Sequence, residues 1–182
     1  MTWLIWTCII VASVVIDQAT KLLMVHLIGP GAASSQITVI EDVFCFTYVE
    51  NPGMAFGTGA NIRWLFMTVS TVAILALAVY LYRWKPKSKW CCTAIALIIG
   101  GGIGNMIDRV RLGYVVDFLD FCAFDFWVWI FNVADACVCV GGGMLFVWCI
   151  VELVREFKKE KESKTSSADG PDEGNSDETK EN

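Results

Sequence analysis

Five short motifs place functional-looking residues among the apolar runs of residues 1–154: Asp17 and Lys21 in DQATK, Asn51 and Gly53 in VENPGMAFG, Asn105, Asp108 and Arg109 in GGGIGNMIDR, Asp117 in GYVVDF, and Asn132, Ala134 and Asp135 in FNVAD. Asp117 and Asp135 lack the neighbouring cations that accompany Asp17 and Asp108: the nearest base to Asp117 is Arg111, and none lies in the apolar run around Asp135. Two carboxylates within hydrogen-bonding reach in apolar surroundings share a proton, because like charge and low dielectric raise one pKa while the partner stays ionised. The ionised group can take a proton from water while the protonated one donates to a carbonyl oxygen, which is general acid–base hydrolysis without a covalent intermediate or a metal.

A charge at the centre of a membrane helix costs about 2.5–3.5 kcal/mol on insertion scales, so each one needs a partner or a task. Asp17 and Lys21, spaced i and i+4, share a helix face and read as an internal ion pair, or as an anchor for the following loop. On chemistry alone, Asn51, Pro52, Gly53 and Gly57 favour a turn. The alternative is a loop whose backbone approaches a bound peptide, with the Asn side chain bonding to it. Gly100, Gly101, Gly102 and Gly104 permit close helix packing. Asn105, Asp108 and Arg109 fall on one face, and Asp108 beside Arg109 reads as a structural pair. Asn132 shares a face with Asp135 at i−3. The plainer reading of the two remaining acids has Asp117 touching headgroups and Asp135 bonding to another helix.

The elements that must position these residues follow from composition. Of 182 residues, 55% are hydrophobic and 18% charged, against about 45–50% and about 25% in soluble domains, so lipid is the expected solvent. Four runs suffice to cross a bilayer: about residues 3–28, 64–83, 90–107 and 126–151. The eight tryptophans gather mostly near their ends, as rings at headgroup level do. The first run has no basic leader and carries Asp17 and Lys21, so it reads as a retained span rather than a cleaved signal. Arg83, Lys85, Lys87 and Lys89 join spans two and three, and six more bases follow span four. Only Arg63, Arg109 and Arg111 lie on the other side, which predicts cytoplasmic termini and outward-facing residues 29–63 and 108–125.

The expected class is therefore an all-α membrane protein of four transmembrane helices with a small extracytoplasmic β-rich platform. The β-branched and aromatic stretch within residues 36–57 supplies the platform, and GYVVDFLDFCAFDFWVW forms an interfacial segment. Residues 1–154 read as one membrane domain and 155–182 as a charged, disordered cytoplasmic tail. No internal repeat is evident, which weighs against an inverted-repeat transporter.

Composition also excludes classes. The net charge is −5, three units of it in the tail, and no basic stripe favours nucleic acid. One His, His26, and no CxxC leave too few ligands for a zinc site, so neither metal nor cofactor is expected. Most of the eight cysteines lie in apolar runs and read as packing. There is no HExxH and no GxSxG with a usable His, Ser88 lies between lysines on the cytoplasmic side, and the GxGD of presenilin-like proteases fails because Asn105 follows Gly104. A small transporter or channel subunit using Asp17, Lys21 and Asp135 as an ion relay is the alternative, but span two is almost free of polar residues. A non-catalytic assembly factor would leave Asp117 and Asp135 without cations.

Taken in order, the five motifs resemble those of bacterial lipoprotein signal peptidases, the signal peptidase II family, over about residues 4–152. The resemblance implies an aspartic endopeptidase that cuts diacylglyceryl-modified prolipoproteins on the amino side of the lipidated Cys, in the inner membrane with its site at the outer face. It implies Asp117 and Asp135 as the catalytic dyad. Asn51, Gly53, Asn105, Asp108, Arg109, Asn132 and Ala134 would bind substrate or hold the dyad, and Asp17 and Lys21 would support it. The implied partners are the lipidated substrate and membrane lipid, with no obligate protein partner. Pro52 and Met54 vary the family's usual NxGAAF pattern, and the acidic tail is longer than the family leads one to expect.

Overall fold

The computed structural model describes residues 2–53, 60–123 and 129–168. Helix α1 (Thr2–Ile28) leads to strands β1 (Gln36–Ile40) and β2 (Phe44–Asn51). Helix α2 (Ala60–Val79) ends in a π-helical turn at Tyr80–Trp84 and is followed by α3 (Lys89–Arg111), β3 (Val115–Asp120), β4 (Ile130–Phe131) and α4 (Val133–Ala168). All four helices contain segments long and apolar enough to cross a membrane. Their outward faces carry exposed large apolar side chains such as Leu4, Leu65, Val110 and Phe146, as lipid rather than water demands.

Helix α3 is the most enclosed, and its glycines explain how. An α-helix turns through about 100° per residue, so three consecutive positions point at three different neighbours. A Cβ at Gly100 would lie 2.7 Å from Ser13 Cβ on α1, one at Gly101 would strike the Ala134 carbonyl oxygen on α4, and one at Gly102 would lie 2.9 Å from Ile74 Cδ1 on α2. A Cβ at Gly104 would lie 2.5 Å from Asp17 Oδ2. The GGGIG run is thus the place where the backbone of α3 comes into contact with every other helix. Ser88 starts α3 as its N-cap, accepting from the Cys91 N–H.

The strands form one antiparallel sheet in the order β1-β2-β3-β4. Met24 and Ile28 at the end of α1 pack with Phe118, flanked by Phe46, Tyr48, Leu119 and Val133, so the sheet is seated on the end of α1. Phe118 and Phe46 lead to Phe44, Phe121 and Phe131 in a run of ring contacts with centroids 5.0–6.2 Å apart.

Four sequence expectations are refined. Residues 115–120 of the expected interfacial segment form an inner strand, β3, pairing with β2 (Val49↔Asp117, Asn51↔Val115) and with β4. The alternation of acid and aromatic residues that suggested an interface is also the period of a strand. The fourth helix begins at Val133 rather than near 126, because Ile130 and Phe131 pair with Asp120 and Leu119 and Asn132 then caps the helix. The third apolar run is helical on to Arg111, and the second starts at Ala60.

The chain divides into two units, residues 1–146 and 147–182. In the second, helix continues to Ala168, through residues 155–168 of the charged tail. Lys and Glu are good helix formers, and Arg155–Glu152 at 2.9 Å and Lys164–Glu160 at 2.6 Å sit at the i, i+3 and i, i+4 spacings that support a helix. Residues 169–182 lie outside the described residues.

Candidate active site

Two linked clusters are assembled where α1, α3, β2, β3 and the start of α4 meet. The first centres on Lys21, which is 3% exposed. Its ammonium lies 3.0 Å from Asp17 Oδ2 and 2.9 Å from Asp108 Oδ2, and donates to Asn105 Oδ1 at 2.9 Å, so its three protons have three acceptors. Gln18 Nε2 adds a bond to Asp108 Oδ1 at 2.9 Å and to the Gly104 carbonyl at 3.2 Å. Asp108 Oδ2 also accepts from the Val116 N–H at 3.2 Å, tying α3 to β3. Asp17 Oδ1 accepts from the Ala134 N–H at 2.9 Å. That amide is one of the unpaired donors at the N-terminus of α4, where a carboxylate is favoured.

The second cluster is built on Asn132, which is fully buried. As N-cap of α4, it accepts from the Asp135 N–H at 2.9 Å through Oδ1, while Asp135 Oδ2 accepts from the Asn132 N–H at 3.4 Å. This is the reciprocal arrangement of a capping box. The Asn132 amide donates to Asp117 Oδ1 at 2.6 Å, to Asn105 Oδ1 at 3.1 Å and to the Val116 carbonyl at 3.3 Å. Asn105 Nδ2 in turn donates to Asp135 Oδ1 at 2.7 Å. Asn51 Nδ2 donates to Asp117 Oδ2 at 2.8 Å, and Asn51 Oδ1 accepts from the Gly53 N–H at 2.9 Å. Gly53 has φ +78°, so the turn that aims Asn51 favours glycine there.

Asp117 is 1% exposed, and its carboxylate oxygens accept from two amides, those of Asn51 and Asn132. Burial pushes its carboxyl up to about 6 and the charge of Asp135 adds to the rise, while the amides of Asn51 and Asn132 oppose it. Asp135 is half-buried. The site thus joins a carboxyl that holds its proton to nearly neutral pH with a second carboxyl, both oriented by neutral amides.

The structure brings together Asn51, Gly53, Asn105, Asp108, Asn132, Ala134, Asp117 and Asp135, with Asp17 and Lys21 behind them. Ala134 takes part through its backbone N–H and through a side chain small enough to lie beside Gly104. The Asp108–Arg109 pairing read from adjacency is corrected: Asp108 pairs with Lys21, and Arg109 Nη1 reaches back to the Asn105 carbonyl at 3.4 Å. Consecutive residues on a helix do not face one another. Gln18 escaped the sequence reading, although a polar amide inside an apolar span was its signal. Ala55, Phe56 and Gly57 lie outside the described residues.

A family model described as signal peptidase (SPase) II matches residues 9–151. The lipoprotein signal peptidase of Symbiobacterium thermophilum is 40% identical over 141 residues, covering 78% of this chain and 91% of that protein. That of Geobacter sulfurreducens is 37% identical over 161 residues, with coverages of 87% and 96%. A solved structure described as a bacterial membrane enzyme aligns with a TM-score of 0.70 at 28% identity, over 79% of this chain and 91% of that one. Sequence and fold agree: the chain belongs to the signal peptidase II family and is a multi-pass membrane hydrolase of aspartic-peptidase type.

Proposed function

We propose that the protein removes the signal peptide from diacylglyceryl-modified prolipoproteins, cutting on the amino side of the lipidated Cys, with Asp117 and Asp135 as its catalytic pair. The observation that carries this reading is the pair's setting: two acids from different elements, bridged by Asn132, with amides on their oxygens. The ionised carboxylate takes a proton from water as the water oxygen attacks the scissile carbonyl carbon, and the protonated carboxyl donates to the carbonyl oxygen. The gem-diol intermediate collapses as the newly protonated carboxyl gives its proton to the leaving nitrogen and the other carboxylate takes a proton from a gem-diol hydroxyl, so the pair regains its starting state. No covalent intermediate, metal or cofactor enters the cycle.

Asn51 and Asn132 aim Asp117, Asn105 and Asn132 aim Asp135, and Gly53 shapes the turn that holds Asn51. Arg109 lies beside Asn105 as a cation for substrate carbonyls or lipid phosphate. Asp17, Lys21 and Asp108 fix α1, α3, β3 and α4 to one another so that the two acids stay in register. The charge distribution supports cytoplasmic termini and a catalytic face at the outer side of the inner membrane. A lipidated precursor already lies in the bilayer there, reaches the site laterally and meets water from outside. The clustering of the acids supports hydrolysis over an ion relay, which needs polar groups along several spans.

The test is cleavage of a lipidated precursor by purified protein in lipid, with the product sequenced by mass spectrometry. The expected product begins at the lipidated Cys, and the same precursor without lipid is cut poorly. Equal cleavage of the unlipidated precursor contradicts the proposed substrate class.

A further inference from the structure

Six of the eight cysteines belong to the helices: Cys8 to α1, Cys91 and Cys92 to α3, and Cys137, Cys139 and Cys149 to α4. The other two are Cys45 in β2 and Cys122 two residues past β3, and their sulfurs lie 2.9 Å apart although 77 residues separate them in sequence. Cys45 is opposite Asp120 in the β2–β3 ladder, and the Cys122 N–H donates to the Val43 carbonyl at 3.0 Å, so the pairing continues two residues beyond the strand. Residues two apart on a strand share a face. Cys45 and Cys122 are therefore diagonal neighbours on one face, within the reach of such pairs.

We infer that Cys45 and Cys122 form a disulfide site, closed by a thiol–disulfide oxidant on the outer side of the membrane, that staples β2 to the chain leaving β3. The compartment rests on the topology proposed above; the chemistry does not rest on the peptidase mechanism. A disulfide needs sulfurs about 2.05 Å apart, so closure asks for a contraction of roughly 0.9 Å from the present contact. Outer compartments are where such bonds form and persist.

Cys122 is exposed and Cys45 buried, which fixes the order of events. The Cys122 thiolate attacks a sulfur of the oxidant's disulfide, forming a mixed disulfide and releasing one oxidant thiolate. The Cys45 thiolate then attacks the Cys122 sulfur and expels the second. Two electrons and two protons pass to the oxidant, which leaves as a dithiol. The neighbouring Cys45 sulfur pushes the Cys122 thiol up to about 11, so oxidation by a small disulfide accelerates as pH rises and more thiolate forms.

The staple acts beside an irregularity in the sheet's register. The β2–β3 pairing slips between Phe46 and Val49, and beyond that irregularity the same strands carry Asn51 and Asp117. A cross-link at one end of the slipped pair removes alternative registers and closes a long loop in the unfolded chain.

Full-length protein in native membranes is alkylated with N-ethylmaleimide before any reduction, digested and mapped by mass spectrometry. The expected result is a linked Cys45–Cys122 peptide. Full alkylation of both residues, unchanged after oxidised glutathione at alkaline pH, overturns the inference. In detergent the oxidised protein should unfold several degrees above the dithiothreitol-treated one, a difference that Cys45→Ser erases. Equal unfolding temperatures before and after reduction also overturn it. Cleavage of lipidated precursor by the reduced protein reports separately on the peptidase reading, and it should persist.

Discussion

Asn132 and Asp135 cap each other's backbone amides at the start of α4, so the residue that begins the helix also orients one of the two acids. The same Asn132 side chain turns its amide to Asp117 at 2.6 Å. Helix initiation and acid placement therefore depend on one residue.

These two roles separate by substitution. Asn132→Ser keeps a capping oxygen but loses the amide donor to Asp117; a typical hydrogen bond is worth about 0.5–1.5 kcal/mol, or roughly two- to tenfold in rate. Asn132→Ala loses both functions and should also unfold more easily, a lost cap costing about 0.5–2 kcal/mol. Cleavage kinetics and thermal unfolding of the two variants, measured side by side, check the separation. Equal unfolding temperatures for Ser and Ala at this position would contradict it.

Activity should fall as pH rises through about 6. Below that pH Asp117 holds its proton, and above it Asp117 is ionised and the donor to the carbonyl oxygen is lost. The Asn51 amide holds the Asp117 pKa down, so in Asn51→Ala the proton binds more tightly and the falling limb of kcat/KM moves to higher pH. Linkage has the same sign: the raised pKa favours the folded state fully below the ordinary value of 3.8, and that contribution is lost as pH rises through about 6. A pH profile flat from about 5 to about 8 would contradict the assignment.

Lys21→Met leaves Asp17 and Asp108 buried without their cation, which costs about 3–5 kcal/mol. Adding Asp17→Asn and Asp108→Asn to Lys21→Met removes the stranded charges and should recover part of that loss. Unfolding in detergent reads both; a single variant as stable as the wild type would show that the cluster is not needed to hold the helices.

The four helices were legible because apolar length alone specifies a membrane span, and the Asp17–Lys21 pair because i, i+4 geometry is local. The Asp108 partner was not legible. Lys21 is far away in sequence, and only the glycine-permitted approach of α1 to α3 brings it within 2.9 Å. Strand β3 escaped for a similar reason: Val115 and Val116 are strand formers, but pairing with β2 crosses a whole helical hairpin. The FNVAD motif showed Asn132 and Asp135 at a helical spacing without showing that Asn132 stands outside the helix as its cap. The link from Asn51 to Asp117 likewise needed the register that sets Asn51 opposite Val115.

The pairing of Asp117 with Asp135 is tested most directly by single-turnover cleavage of a lipidated precursor by wild type, Asp117→Asn, Asp135→Asn and Asp108→Asn, each first shown to be folded by its unfolding transition. Cleavage should vanish in the first two variants, while Asp108→Asn, whose carboxylate serves Lys21, Gln18 and the Val116 amide, should lose stability but keep turnover per folded molecule. Near-wild-type turnover by folded Asp117→Asn or Asp135→Asn would contradict the catalytic pair.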